Sequence, residues 1–95
     1  MFTSSASITT EHGQRLITRL GRHWGHKFAV DLEDNHLTVP FDADTLATMA
    51  VQPHALAVQI HTPDASRLEP LQKVVADHLQ RFAKEQTLSF HWQQG

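Results

Sequence analysis

The chain has 95 residues, of which 40% are apolar and 19% are charged, and its formal net charge is −2. This length allows one domain, spanning residues 1–95, and the composition is that of a folded protein. The lack of cysteine excludes disulfides, thiolate metal ligands and a cysteine nucleophile. The negative charge argues against a nucleic-acid-binding surface.

No targeting or membrane-spanning segment is predicted. Residues 1–5 lack the basic and apolar regions of a signal peptide. No apolar run approaches the ~20 residues that are needed to span a bilayer. We therefore expect a soluble, cytoplasmic protein with no membrane partner.

The first half of the chain predicts a strand, a helix and a hairpin. Alternation over residues 2–8 indicates a short first strand. Residues 10–24 carry the apolar spacing of one helical face, which includes Trp24, and Gly25 is expected to end this helix. From residue 27 the period changes to two, which predicts a hairpin over residues 27–41.

The second half predicts two further strands, a helix and a last strand. Strands are expected at residues 45–50 and 56–60, and again at residues 88–92. Between them, residues 63–84 predict a helix with a kink near Pro70. Its buried stripe should be Leu68, Leu71, Val75, Leu79 and Phe82, whereas Gln72, Asp77, Gln80 and Lys84 should be exposed.

The predicted element order is β-α-β-β-β-β-α-β, in a single α+β domain. Each helix has only one apolar stripe to bury, so both are expected on one face of a curved antiparallel sheet. The other face is then exposed or makes an oligomer contact. Both a monomer and a homodimer are compatible with this arrangement.

Three of the eight histidines are candidate metal ligands. Imidazoles of His23, His26 and His78 suit a divalent metal such as zinc, and three of them would leave an open coordination position. The alternative is that they only pack and donate hydrogen bonds. Because Gly25 interrupts the helix between two of them, no preformed three-histidine site is expected, although His78 should lie near Trp24.

Trp24, His78 and Arg22 are the candidate ligand-binding residues, because such folds hold small apolar ligands between sheet and helices. The simpler interpretation of Trp24, and of Trp92, is core packing. Arg22 continues a basic stripe with Arg15 and Arg19 that could meet a phosphate, an acidic cofactor or only solvent. No cofactor is specified by these residues.

Catalysis finds little support in the sequence. No serine lies in a nucleophile elbow, and the glycine-rich motifs that cradle phosphates are absent. The carboxylates fall in stretches that are predicted to be exposed. These observations favour a protein that is not an enzyme and has no catalytic residues.

Three segments resemble one bacterial family, domain of unknown function 2218. They are LGRHWGHKF at residues 20–28, LQKVVADHLQRFA at residues 71–83 and LSFHW at residues 88–92. The resemblance covers essentially the whole chain, and Pro70 departs from the helix former usual there. It implies a small bacterial protein linked to iron-uptake genes and to a partner such as a siderophore-interacting flavoprotein. The predicted order of strands and helices, in addition, resembles TATA-binding-protein-like or helix-grip-like folds.

Three functions therefore stay open. The chain is a small binding or accessory domain linked to siderophore and iron metabolism, a histidine-based metal-binding protein, or a homodimeric interaction domain without a ligand. Metal titration separates the second hypothesis from the other two.

Overall fold

The computed structural model describes residues 1–94. The strands are β1 (Phe2–Thr9), β2 (Asp31–Glu33), β3 (His36–Pro40), β4 (Leu46–Gln52), β5 (Ala55–Thr62) and β6 (Gln93–Gln94). Helix α1 (Gly13–Trp24) follows β1, and helix α2 (Leu68–Phe82) follows β5 after a short 3₁₀ turn at Ala65–Arg67. The predicted order of elements is thus confirmed. No helix within residues 1–94 has the length and apolar character to cross a membrane.

The strands form one antiparallel sheet in the order β2-β3-β4-β5-β1-β6. The longest pairing joins β1 to β5 from Phe2↔Thr62 to Thr9↔Ala55. The middle of the sheet therefore depends on contacts between segments that are far apart in the chain. The predicted α+β class with an antiparallel sheet is confirmed.

One hydrophobic core fills the space between the sheet and the two helices. Alternate strand residues are buried, because successive side chains of a strand point to opposite faces. The core is made of Ile8, Leu37, Val39, Ala47, Met49, Leu56, Val58 and Ile60 from the sheet, and of Leu16, Ile17, Leu20, Trp24, Leu68, Val75 and Leu79 from the helices. Burial of each large apolar side chain contributes about 1.5–3 kcal/mol. Both helices thus cover the same face of the sheet, as predicted.

Helix α1 ends where the sequence predicts, but for a different reason. Gly25 follows the last helical residue with φ −61°, which any residue can adopt. The chain turns because the backbone N–H groups of Lys27 and Phe28 both donate to the Trp24 carbonyl, at 2.9 and 2.8 Å. Residues 27–30 consequently do not form the predicted strand, and β2 keeps only three residues.

Helix α2 accommodates Pro70 in its first turn. The helix begins at Leu68, so the missing N–H of Pro70 falls where no intrahelical acceptor exists. It ends at Phe82, two residues before the predicted end. The buried stripe is Leu68, Val75 and Leu79, while Leu71 and Phe82 are half-buried.

Two glutamines that were predicted to be exposed are half-buried and hold other segments. The Gln72 amide donates to the hydroxyl of buried Ser4 on β1, at 2.6 Å. Gln80 accepts from the backbone N–H of Leu88 at 2.8 Å and donates to the carbonyl of Gln86 at 2.9 Å. The predictions of exposure are wrong because both amides meet backbone or hydroxyl groups that need partners.

Residues 88–92, which were expected to form the last strand, do not form one. Gln86 donates its side-chain amide to the Thr9 carbonyl at 2.9 Å, so side chains rather than a backbone ladder hold this segment to β1. Regular pairing with β1 is limited to Gln93 and Gln94. Trp92 is half-buried at the margin of the core, where its ring stacks on Phe90 with centroids 6.3 Å apart.

Candidate ligand-binding site

The end of α1 meets the middle of α2 through aromatic rings. The ring centroid of His78 lies 4.8 Å from that of Trp24 and 5.4 Å from that of His23. Trp24 is only 5% exposed, whereas His23 is exposed and His78 is half-buried. The helical spacing of Trp24 and Leu20 turns the indole inward, and this places the two imidazoles between the indole and solvent.

Two phenylalanines extend this cluster toward the sheet. Phe28 follows the turn after α1, and Phe41 follows the last residue of β3. Their ring centroids are 5.2 Å apart, and Phe41 lies 5.4 Å from Trp24. The interplanar angles of 87° and 81° are edge-to-face arrangements, which aromatic pairs prefer. The cluster is therefore a fixed wall and not a set of independent surface rings.

These residues line an open cavity of about 560 Å³, which we name the aromatic pocket. This volume is in the range of about 300–1,000 Å³ that small-molecule sites usually have. Its lining residues are His23, Trp24, Lys27, Phe28, Phe41, Arg67, Leu71, Val74 and His78. They come from the end of α1 and the turn after it, from the residue that follows β3, and from the 3₁₀ turn and α2 as far as His78, so elements that pack on the core position the wall.

The charged groups of the aromatic pocket are cations. The Lys27 ammonium lies 5.5 Å from the centroid of the Phe28 ring, within the reach of a cation–π contact. Among residues 1–94, no carboxylate oxygen lies within 4.0 Å of this ammonium. None of the lining residues is acidic. The pocket thus favours a ligand that carries negative charge.

Arg67 is held at the rim by two side chains. Its guanidinium donates to the carboxylate of Asp42 and, at 3.0 Å, to the hydroxyl of Thr45. The Arg67 hydrogen bond, together with the Asp44 backbone N–H, holds the pKa of Asp42 below its ordinary value of 3.8. The Asp42 carboxylate therefore offsets part of the positive charge of Arg67, whereas the Lys27 ammonium has no carboxylate partner among residues 1–94.

The hydrogen bond of His78 determines which ring nitrogen is free. Its Nδ1 lies 2.7 Å from the Val74 carbonyl oxygen, and a carbonyl can only accept. Nδ1 therefore carries the hydrogen of this contact, and in a neutral ring Nε2 can accept a hydrogen bond or bind a ligand.

The structure brings together three of the five predicted site residues. Trp24, His78 and His23 line the aromatic pocket, but Arg22 and His26 do not. Arg22 precedes Trp24 by two residues, which is about 200° around the helix axis, so it lies on the exposed side of α1. His26 is exposed in the turn after Gly25.

The predicted metal set of His23, His26 and His78 is not assembled. Across residues 1–94, no three histidine, cysteine, aspartate or glutamate side chains are placed to hold one ion. His23 and His78 are neighbours, whereas the turn after α1 carries His26 out of the aromatic pocket. The physical reason is the end of helical register at Gly25.

Sequence reasoning missed Lys27, Phe28, Phe41 and Arg67 as site residues. The two phenylalanines lie in the segment that predicts a hairpin, and the two cations lie outside the basic stripe of α1. Only the adjacency of Lys27 and Phe28 to the HWG segment was available as a signal. Phe41 and Arg67 are distant in sequence, and the fold alone brings them to this place.

These features define a small α+β domain with a fixed aromatic pocket on the helix side of its sheet. The chain belongs to family DUF2218, which is described as an uncharacterized protein conserved in bacteria, and the family match spans residues 5–93. The predicted family is thereby confirmed. No curated protein matches the sequence.

A solved structure is similar to this chain in both sequence and fold. It is the NMR structure of PA4090 from Pseudomonas aeruginosa, at 38% identity and a TM-score of 0.83. The similarity covers 98% of this chain and 96% of that one. The two proteins therefore have the same architecture over essentially their whole lengths.

Proposed function

We propose that the chain is a binding domain for a flat aromatic ligand that carries an acidic group. The observation that supports it is the aromatic pocket, in which the rings of Trp24, Phe28 and Phe41 form one wall and no lining residue is acidic. A planar ligand would pack on the half-buried rings of Phe28 and Phe41, beside the almost fully buried indole, and its acidic group would pair with the Lys27 ammonium.

The biological setting of this function rests on the family resemblance. It implies a link to siderophore and iron metabolism and a partner such as a siderophore-interacting flavoprotein. Catechol-carboxylate groups are planar, aromatic and acidic, so they belong to the ligand class that the aromatic pocket fits. A catechol carboxylate is therefore a suitable probe for the proposed link to siderophores.

The experiment uses the fluorescence of Trp24. A Trp92→Phe background leaves Trp24 as the one remaining indole, and 2,3-dihydroxybenzoate is titrated as the probe. We expect saturable quenching, because a ligand on the pocket wall lies beside the indole. Catechol, which has the same ring without the carboxylate, should bind more weakly.

Matched lysine variants separate specific binding from general electrostatics. Lys27→Gln removes the unpaired cation of the pocket, and Lys73→Gln removes an exposed cation of α2 that does not line it. We expect Lys27→Gln to raise the Kd for 2,3-dihydroxybenzoate about tenfold, as loss of one charge-assisted hydrogen bond does. Equal effects of the two variants, or non-saturating quenching, would show that the aromatic pocket is not the site.

A second candidate function is self-association through the sheet face that the helices leave uncovered. In the middle of that face, the cross-strand rows carry short uncharged side chains, such as Ser5, Thr48 and Ala57, which let another surface approach closely. The same rows continue to Asp31 and Glu33 at the β2 edge. Sedimentation of the parent and of Thr48→Arg tests it. A dimer that the arginine dissociates supports the interface, and two monomeric proteins at millimolar concentration refute it.

A further inference from the structure

A second concave site lies at the opposite end of α1 from the aromatic pocket. Arg15 and Arg19 are four residues apart, so they share one face of α1. They line a cavity of about 200 Å³ together with Lys84, which follows α2, and with apolar Leu16 and Phe82. We name this cavity the basic cleft.

The basic cleft carries more positive than negative charge. Its one carboxylate belongs to Glu85, whose Oε2 lies 3.9 Å from Arg15 Nη2, and the two side chains are 76% and 45% exposed, respectively. A pair of this length and exposure is weak. Within residues 1–94, Arg19 and Lys84 have no carboxylate oxygen within 4.0 Å. Three cations facing one carboxylate leave a surplus of two positive charges.

The surplus of positive charge in the basic cleft is confined to one region of the protein surface. All eight lysine and arginine residues lie in the helices or in the segments that adjoin them, and the described strands contain none. The chain as a whole has a net charge of −2. The basic cleft is thus a positive region on a protein that would not attract anions in general.

We propose that the basic cleft binds the phosphoryl group of a small phosphate monoester. Guanidinium groups match phosphate oxygens in a bidentate geometry, and a phosphate monoester carries between −1.5 and −2 charges near pH 7. That charge matches the surplus of the cleft. The volume is below the ~300 Å³ of typical sites for larger ligands, so it fits a phosphoryl group and not a whole nucleotide. The half-buried ring of Phe82 offers apolar surface to the adjoining carbon atoms of the ester.

The test follows backbone amide signals by NMR during titration with inorganic phosphate and with phenyl phosphate. Ionic strength is held constant with chloride, so that general screening does not change. We expect saturable shifts of Arg15, Arg19 and Lys84, with phenyl phosphate binding more tightly because its ring contacts the apolar side of the cleft. Acetate at the same concentration should cause smaller shifts there.

Arginine variants on one helix supply the matched control. Arg19→Gln removes a cation of the basic cleft, whereas Arg22→Gln removes an exposed cation of α1 outside it. We expect the Kd for phenyl phosphate to rise about tenfold in Arg19→Gln and less than twofold in Arg22→Gln. Equal weakening in both variants, shifts equal to those with acetate, or no saturation at 20 mM would each overturn the proposal.

Discussion

His78 lies against Trp24 with the two ring centroids 4.8 Å apart and the planes inclined by 43°. This contact joins the two longest segments that carry the family resemblance, since Trp24 ends α1 and His78 lies in the middle of α2. The indole also faces the core cluster, and the imidazole also faces the aromatic pocket. Stability and ligand binding therefore depend on the same pair of rings.

Replacement of Trp24 should be the most costly single change among the residues of the aromatic pocket. Trp24→Ala removes an almost fully buried indole, and truncations of this kind cost about 3–5 kcal/mol. His78→Ala and Trp92→Ala should cost less, because both residues are only half-buried. Urea unfolding followed by circular dichroism ranks the stability losses of the three variants. Equal midpoints for Trp24→Ala and the parent would contradict the burial of the indole.

Replacement of two glycines of α1 by alanine should affect the free energy of unfolding differently. A Cβ at Gly21 would lie 3.1 Å from Leu37 Cδ1 and 3.3 Å from Leu32 Cδ2, so those leucines would have to move. Overpacking costs about 1–3 kcal/mol, and the helix propensity of alanine offsets only about 1 kcal/mol of it. Gly21→Ala should therefore be destabilising.

Gly13→Ala is the control for that change. Its Cβ would lie 3.5 Å from Val51 Cγ1, which is an ordinary contact, so the free energy of unfolding should stay level or rise. Thermal unfolding of both variants and the parent compares them directly. A stabilised Gly21→Ala protein would mean that α1 does not lie as close to β2 and β3 as described.

The hydrogen bond between Gln72 and Ser4 should behave as a coupled pair. Gln72→Met leaves the fully buried hydroxyl of Ser4 without its partner, and an unsatisfied buried group costs about 1–3 kcal/mol. Ser4→Ala should cost less, since the half-buried amide of Gln72 can still reach water. The double variant should recover part of the loss. Unfolding free energies that simply add in a double-mutant cycle would show that the two residues are not coupled.

The Asp42–Arg67 pair should contribute to stability in mild acid. Because the Arg67 hydrogen bond lowers the pKa of Asp42 in the folded protein, the ionised carboxylate stabilises the fold above the unfolded value near 3.8. That contribution is lost as pH falls through the folded-state pKa. Asp42→Asn should therefore flatten the dependence of stability on pH below about pH 4.

Acid titration of the unfolding midpoint from pH 5 to pH 2 measures this effect. Asp34→Asn, in the exposed turn between β2 and β3, controls for the loss of one carboxylate charge. We expect the Asp34→Asn profile to follow the parent and the Asp42→Asn profile to depart from it. Coincident profiles of all three proteins would mean that the pair has no energetic effect.

The sequence predicted a strand correctly where apolar and polar side chains alternate and the backbone also pairs with a neighbouring strand. The strands β1, β4 and β5 are examples, as is the buried face of α1 that contains Trp24. The prediction is wrong at residues 27–30 and 88–92, where apolar and polar side chains alternate but the backbone does not pair with another strand. In the first case the backbone donates to Trp24, and in the second the amides of Gln80 and Gln86 hold the segment.

The candidate site was predictable only as far as it lies within one segment or one helix face. His78 was expected beside Trp24 because one stripe of α2 borders the end of α1. Phe41 and Arg67 enter the aromatic pocket from β3 and from the turn before α2, and no local pattern links them to Trp24. Long-range pairing of strands, which composition and periodicity do not encode, determines that part of the site.

The register that joins β1 to β5 also sets an order for folding on the ribosome. Residues 2–9 have none of their β5 partners until Ala55 has been synthesised and the full set only after Thr62, because Thr9 pairs with Ala55 and Phe2 with Thr62. At about 5–20 residues per second, the first strand waits several seconds without a partner. Helix α1 likewise has no complete sheet to cover during that time. Closure of the β1–β5 pair is therefore a late step, and the nascent chain is most open to chaperones and proteases before it.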